Sequence, residues 1–377
     1  MKTLYINGKF SAQNMTGVQR GALELTLALD RFLDTGGHEH DAECVLLCPP
    51  DAQPPSLRHI QVRTIGTGPD TLQGWEQLVL PWAARDGLLL NLAGSAPWWA
   101  ARRSVCMLHD AAVFDFPLAY TMAFRVWYRL LFRHLSRRAA GLVTVSAFSR
   151  DRLCKALTVP ANRIGVVLNG ADHFQRVAAD DSVLPAYGLT PGRFLLVVGT
   201  AKQTKNIEAV LAAWRRLKSA PGCVLVWVGG NNHRVFANVE SDLSASAADA
   251  ADGIFRIGVV TDGRLKSLYE HAAGLLVASR YEGFGLPAVE AMACGCPVAA
   301  ASAASLPEVC GDAAQFFDPE RVDSICLVMD SLLNDAGLRT RLRQRGSARA
   351  AEFTWDNAAR QLLLQLQAAG FWRHVPV

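Results

Sequence analysis

The run SRYEGFGLPAVEAMACGCPVAA, residues 279 to 300, sets two glutamates, Glu282 and Glu290, on either side of a Gly-Phe-Gly-Leu-Pro turn. An ionised carboxylate only accepts hydrogen bonds and can take two hydroxyl donors at once, so a separated pair suits the diols of a sugar-bearing ligand. GLLVAS before the turn reads as a strand and PAVEAMACG after it as a helix. Pro287 fits the first helical turn, where its missing N–H is not needed, and Gly295 fits the helix stop. The amides of Gly283, Phe284 and Gly285 then lie beside a helix N-terminus, a place for an anion or a hydroxyl-rich ligand. The spacing alone equally allows a capped helix carrying two solvated acids.

A second candidate is VVGTAKQTKN, which leaves a strand and opens a helix. Asn206 suits the N-cap, and Ile207, Val210, Leu211, Trp214 and Leu217 form an apolar stripe behind it. Lys205 then stands at the mouth of the loop, where an ammonium stabilises charge on a departing diphosphate; a solvated surface lysine is the plainer reading. In NMTGVQRGALEL, Gly17 allows close approach of the backbone to phosphates or to an acceptor, or merely makes a tight turn. Arg20 serves either the phosphates or an ion pair, and both stay open. His109 ends a strand in MLHD; a lone histidine is usually structural. Asp110 beside it is a candidate polar group or base on the acceptor side. The other eight histidines carry no role. No metal-ligand spacing occurs, and GAD at 170–172 is not an Asp-x-Asp motif, so no metal or other cofactor is expected. The nine cysteines lie mostly in apolar runs and read as buried thiols.

Elements to hold these residues follow from the apolar pattern. TLYING, ECVLLCP, GLLLNLAG, SVCMLHD, GLVTVSA and IGVVLNG are short continuous Val/Leu/Ile-rich runs, the pattern of strands buried on both faces of a parallel sheet. Helical stretches separate them. The alternation restarts with RFLLVVG, CVLVWVGG, IFRIGVV, GLLVAS and PVAAAS. Residues 173–192 between the halves are polar and aperiodic and read as a linker. The expectation is an α/β chain with one doubly wound domain over 1–172, a second over 193–352, and a helix within 353–377 that packs back onto the body. A ligand would sit in the cleft between the domains, at the carboxyl ends of the strands.

Charge is uneven: residues 1–172 carry 18 Lys+Arg against 14 Asp+Glu, which accounts for the whole net charge of +4. The helix Thr121–Arg138 explains it, with Arg125, Arg129, Arg133 and Arg137 at four-residue spacing and Phe124, Trp127, Leu131 and Leu135 on an adjoining face. That face would suit an anionic membrane surface or, more simply, a protein core with arginines in water. No apolar run is long enough to span a bilayer, and MKTLYINGKF lacks a signal peptide's apolar region. The expected location is cytoplasmic, with peripheral attachment to the inner face of the cell membrane through that helix. Nothing points to nucleic acid.

The stretch YEGFGLPAVEAMACGCPVAAASAASLPEVCGDAAQFFDP, 281–319, resembles the signature of family 4 of the retaining glycosyltransferases, which have the GT-B fold. LLVVGTAKQTKNIEAVLAAW looks like that family's phosphate-binding loop and helix. FRIGVVTDGRLKSLYEHAAGLLVAS looks like its base-pocket segment, and MLHDAAVFDFP, TVSAFSRDRL and VVLNGAD like its N-terminal-domain landmarks. The likeness covers nearly the whole chain. It implies two Rossmann-like domains facing each other, the first for the acceptor and the second for a nucleotide sugar.

It also implies roles. Glu282 would hold donor-sugar hydroxyls and Glu290 the ribose diol. The amides of Gly283, Phe284, Gly285 and Leu286 would contact sugar and diphosphate. His109 would lie against the sugar at its 6-hydroxyl end, with Lys205 at the leaving diphosphate and Gly17, Thr200 and Val260 on the donor side. Thr200 and Thr204 stand where many relatives carry an arginine, and Lys202 is the candidate to replace it. The implied reaction moves a hexose, mannose from GDP-mannose first, to a hydroxyl of a saccharide or lipid-linked saccharide in surface-polysaccharide assembly. Front-face displacement is implied, since the family places no carboxylate beneath the anomeric carbon. UDP-hexose or GDP-deoxyhexose donors, an epimerase, and a non-catalytic nucleotide-sugar-binding module are the alternatives. Intact Glu282, Lys205 and Glu290 argue against the last.

Overall fold

Every apolar run named above becomes a strand. In the computed structural model, which describes residues 2–35, 42–66, 71–217, 222–230 and 252–371, these strands form two parallel sheets, each in its own unit. The first unit comprises Met1–Phe114, Arg125–Gly170 and Trp355–Val377; the second comprises Asp115–Phe124 and Ala171–Thr354.

Among the described residues the first unit holds seven strands: β1 (Lys2–Asn7), β2 (Ala42–Cys48), β3 (Gln61–Thr64), β4 (Leu88–Asn91), β5 (Ser104–Met107), β6 (Gly141–Thr144) and β7 (Ile164–Val166). Their order is β3-β2-β1-β4-β5-β6-β7. β1 pairs with β2 on one side (Leu4 opposite Cys44) and β4 on the other (Leu4 opposite Leu88), so the strand order reverses between β1 and β4. The second unit has β8 (Phe194–Val198), β9 (Val224–Val228), β10 (Ile254–Gly258), β11 (Gly274–Val277), β12 (Val298–Ala301) and β13 (Ala314–Phe317) in the order β10-β9-β8-β11-β12-β13. Here the reversal lies between β8 and β11, with Leu195 opposite Gly274. In sheets of this type ligands bind outside the carboxyl ends of the strands at the reversal, here the loops after β1, β4, β8 and β11.

Two strands escape the apolar pattern, and both are sheet edges. β3 is exposed along its whole length, and β13 alternates between buried ends and half-buried middle residues. The expected linker is also different in structure. Residues 173–192 belong to the second unit. Lys266 donates to the carbonyls of Phe174 and Val177 at 3.0 and 2.8 Å, and Ser267 donates to Asp181 at 2.7 Å. Phe174 and Val183 enter its core. Polar composition misread this stretch because its polar groups are bonded to the unit while a few apolar side chains anchor it. Asp115–Phe124, expected in the first domain, likewise groups with the second unit.

The helix Trp355–Ala368 completes the first unit. It packs on the helix Gly17–Thr35 and on β6; Leu362, Leu363 and Leu366 are fully buried. Gln361 accepts the Leu168 amide at 2.8 Å, and Arg31 pairs with Asp356 at 2.7 Å. Residues 372–377 of the expected terminal segment lie outside the described residues.

Candidate active site

The turn between β11 and the helix Leu286–Ala293 has the shape its sequence demands. Gly285 has φ +94°, and a Cβ there would come within 2.6 Å of Leu306 Cδ2, so only glycine fits. Pro287 is in the first turn of the helix. The helix ends at Gly295, φ +71°, with the Cys296 amide closing back on the Ala291 carbonyl at 2.8 Å. Phe284 turns inward and meets Phe353 edge-on at 5.5 Å, so this position offers a ligand its backbone rather than its ring.

Glu282 and Lys205 come from the loops after β11 and β8, the two strands at the reversal. Lys205 Nζ lies 2.5 Å from Glu282 Oε1, and Ser279 Oγ donates to the same oxygen at 2.6 Å. Ser305 Oγ fixes the Glu282 carbonyl at 2.9 Å. The two loops are joined by the Arg280 amide donating to the Thr204 carbonyl at 2.8 Å. The pair is only partly covered, at 21% and 13% side-chain exposure. Lys205 makes no other side-chain hydrogen bond among the described residues, and Oε2 of Glu282 accepts none. The pair therefore keeps two ammonium hydrogens and one carboxylate oxygen for a ligand.

Glu290 has separate partners. It is 7% exposed. Tyr269 OH donates to its Oε2 at 3.2 Å, and His173 Nε2 stands 3.3 Å from its Oε1. Burial first, then the Glu290 charge, push the Tyr269 phenol up. Burial, with smaller contributions from Glu270 and Glu290, pushes the Cys294 thiol up to about 12.

Four other second-unit residues differ from expectation or sit as peripheral parts. Asn206 precedes the helix Ile207–Arg216 in the left-handed region, φ +56°, and makes no side-chain cap; its Nδ2 donates to the Pro319 carbonyl at 2.8 Å. Lys202 donates to Tyr120 OH at 2.7 Å and lies 4.3 Å over that ring. Thr200 is half-buried in the loop after β8, and Val260 is half-buried against the second unit's core.

The first unit places Gly17, Arg20, His109 and Asp110. Gly17 opens its helix and is exposed. Arg20 lies 3.8 Å from Glu24, one turn on. His109 Nε2 bonds the Leu92 carbonyl at 2.8 Å, which puts its hydrogen on Nε2; burial pulls the imidazole below its usual range, leaving a neutral ring with Nδ1 as acceptor. Asp110 accepts the Ala112 amide at 2.8 Å and caps the short helix Ala112–Asp115. Near His109 is a buried residue that spacing did not mark: Asn169, whose Oδ1 has no hydrogen-bond partner among the described residues and lies 3.5 Å from where a Gly21 Cβ would stand.

At the first unit's own reversal, Lys9 follows β1 and donates to Glu76 (2.8 Å), Gln73 (3.2 Å) and Ser95 (3.2 Å). Asn7, the last residue of β1, bonds Glu76 and Asn91 at 2.9 and 3.0 Å. Neither the lysine nor the glutamate stood out in sequence.

The arginine-rich helix, Met122–Arg138, turns Leu131 and Leu135 into the core, with Phe124 and Trp127 half-buried. The apolar side chains beside Arg133 and Arg137 at the surface are Val126 and Leu130. Arg129 is tied to the carbonyls of Val113 (2.8 Å) and Phe114 (3.3 Å). The expected face was thus the wrong one of two apolar stripes on one helix. Among the described residues no helix is long and apolar enough to cross a membrane, and no group of three His, Cys, Asp or Glu is assembled.

Two family profiles match the chain, that of glycosyl transferases group 1 over residues 187–349 and that of glycosyltransferase family 4 over residues 15–174. The O-antigen chain mannosyltransferase B of Escherichia coli is 34% identical over 270 residues, 69% of each chain. The MMP alpha-(1->4)-mannosyltransferase of Mycolicibacterium hassiacum is 28% identical over 253 residues, 65% of this chain and 58% of the relative. Sucrose-phosphate synthase of Thermosynechococcus elongatus superposes with a TM-score of 0.74 at 19% identity, over 98% of this chain and 99% of the other. That last likeness is one of fold, the two-sheet GT-B fold.

Proposed function

Taking as premise that the chain belongs to the group 1 and family 4 glycosyltransferases, we propose that it moves mannose from GDP-mannose to a hydroxyl of a saccharide acceptor in surface-polysaccharide assembly, with retention at the anomeric carbon. The observation that carries the site is the Lys205–Glu282 pair at the second unit's strand reversal. The mannosyl reading draws its support from the two mannosyltransferase relatives.

In this reading the donor's diphosphate takes the free hydrogens of Lys205, whose charge matters most as the phosphate leaves. Glu282 Oε2 and the amides of Gly283 to Leu286 hold the sugar, and Glu290 holds the ribose diol. Neutral His109 accepts a sugar hydroxyl, with Gly17, Thr200 and Val260 lining the donor and Arg20 and Asp110 toward the acceptor. The acceptor oxygen bonds to the anomeric carbon on the face the phosphate leaves. The carbon–phosphate oxygen bond breaks, and the acceptor proton passes to the departing phosphate oxygen. No metal takes part, so turnover should survive EDTA; loss on chelation with recovery in magnesium or manganese would refute that.

The acceptor is lipid-linked in this reading, and Val126, Leu130, Arg133 and Arg137 rest on an anionic membrane surface. The test is a panel of GDP- and UDP-hexoses with a saccharide acceptor, scored by nucleotide release and by the anomeric configuration of the product. Release from GDP-mannose with retention supports the proposal. Release from a UDP-hexose alone corrects the donor, and release from none leaves a binding module.

A further inference from the structure

Glu290 is the more deeply buried of the two site glutamates, and its burial is not accidental packing. A carboxylate this covered is costly unless each oxygen is satisfied. The chain brings one side chain to each oxygen, a hydrogen bond at Oε2 and a close imidazole at Oε1. Tyr269, on the helix Asp262–His271, takes Oε2, and His173, on the short turn Asp172–Arg176, stands at Oε1. Both partners are themselves buried, His173 to 2% exposure. The imidazole is held by the Phe174 ring at 4.7 Å, and Phe174 in turn packs edge-on against Tyr269 at 5.7 Å. Two separate segments converge on one side chain.

We propose that His173 is a positioning residue that, with Tyr269, aims Glu290 at a vicinal diol of a nucleoside diphosphate. The count of lone pairs gives the reason. A carboxylate has about four acceptor positions. Tyr269 takes one on Oε2, and His173 Nε2 stands 3.3 Å from Oε1 without an aligned hydrogen bond, which leaves a position on each oxygen, side by side, for two neighbouring hydroxyls. A single partner would let the carboxylate turn about its last bond and lose that bidentate presentation. Glu282 is arranged differently: both its assigned donors, Lys205 and Ser279, converge on Oε1, which suits single hydroxyls presented to Oε2.

The inference rests on the reading that Glu290 meets the ribose, and the test separates the two. Calorimetry on the full chain would compare GDP with 2′-deoxy-GDP, and UDP with 2′-deoxy-UDP, with thermal melting as a folding control. Wild type should favour the ribonucleotide by about tenfold. His173→Phe, which keeps a ring in place, should weaken ribonucleotide binding by about tenfold while leaving the deoxynucleotide within about twofold, so that discrimination collapses. His173→Gln, which restores a donor, should recover part of it, and Tyr269→Phe should lose part of it. If His173→Phe fails to fold, the His173→Gln and Tyr269→Phe pair decides the matter: two variants that discriminate as wild type does overturn the inference. An equal loss of both nucleotides in His173→Phe also overturns it, while loss of discrimination in Glu290→Gln leaves the ribose reading standing. Undiminished discrimination in Glu290→Gln, or binding of neither GDP nor UDP by wild type, removes the ribose reading and this inference with it.

Discussion

Each unit places a lysine and a glutamate at its strand reversal, and the two pairs have opposite characters. Lys9 follows β1 as Lys205 follows β8; Ser95 follows β4 as Ser279 follows β11, and each serine bonds the glutamate of its pair. In the first unit the side chains are 7% and 0% exposed, and all three ammonium hydrogens of Lys9 have partners. In the second they are 21% and 13% exposed, with donors and an oxygen to spare. With every ammonium hydrogen and both carboxylate oxygens engaged within the unit, the first pair holds the loops at the sheet edge together. The open pair is chemically unsaturated, and unsaturation marks a site where ion-pair chemistry alone does not.

The contrast breaks most visibly under Glu76→Ala. Removing one partner of a sealed pair strands the Lys9 charge, and a loss of about 3–5 kcal/mol in unfolding free energy is expected by denaturant titration. The double variant Lys9→Met/Glu76→Leu should recover most of that loss. A stable Glu76→Ala protein would mean that the first pair is not structural. Lys205→Ala should do the reverse: a melting temperature near wild type and a fall in kcat of roughly a hundredfold, about 3 kcal/mol of transition-state stabilisation. Steady-state kinetics with the best donor of the panel would measure it, and a drop in stability with kcat intact would erase the distinction between the pairs.

Glu290→Gln sharpens the comparison within the open unit. Its effect should fall on donor KM, by about tenfold, with kcat nearly kept, because a ribose contact is similar in ground and transition states. A kinetic profile matching that of Lys205→Ala would merge the two roles. The smallest effect belongs to the surface. Each arginine near an anionic bilayer contributes about 1 kcal/mol, so Arg133→Gln/Arg137→Gln should reduce co-sedimentation with anionic vesicles at low salt and leave turnover on a soluble acceptor unchanged. Binding that ignores lipid charge would assign the helix to the protein core alone.

The sequence was most legible where burial is symmetric. Strands buried along their whole length are short apolar runs, as in LLLN of β4 and VAAA of β12, whereas β3, exposed throughout, and β13, half-buried in its middle, were not marked. Glu282 and Lys205 were readable since a glycine turn and a loop lysine after a strand carry their own local logic. His173, Tyr269 and Ser279 were not, because their meaning lies in which carboxylate the fold brings to them. Ser279 stood three residues from Glu282 and was within reach of a closer look; His173 lay more than a hundred residues from its partner. The arginine helix misled because two apolar stripes run along it, and periodicity does not say which one meets the core.

The helix Trp355–Ala368 gives the molecule an order of assembly. The first unit's core is closed by leucines encoded after the whole of Ala171–Thr354. At roughly 5–20 residues per second of synthesis, that intervening stretch takes on the order of 10–40 s to emerge. For that interval the nascent first sheet lacks the helix that packs beside Gly17–Thr35, while the second unit's own chain is being made. The first unit is thus completed after the second, and chaperone demand should peak on the early sheet until Trp355–Ala368 leaves the ribosome.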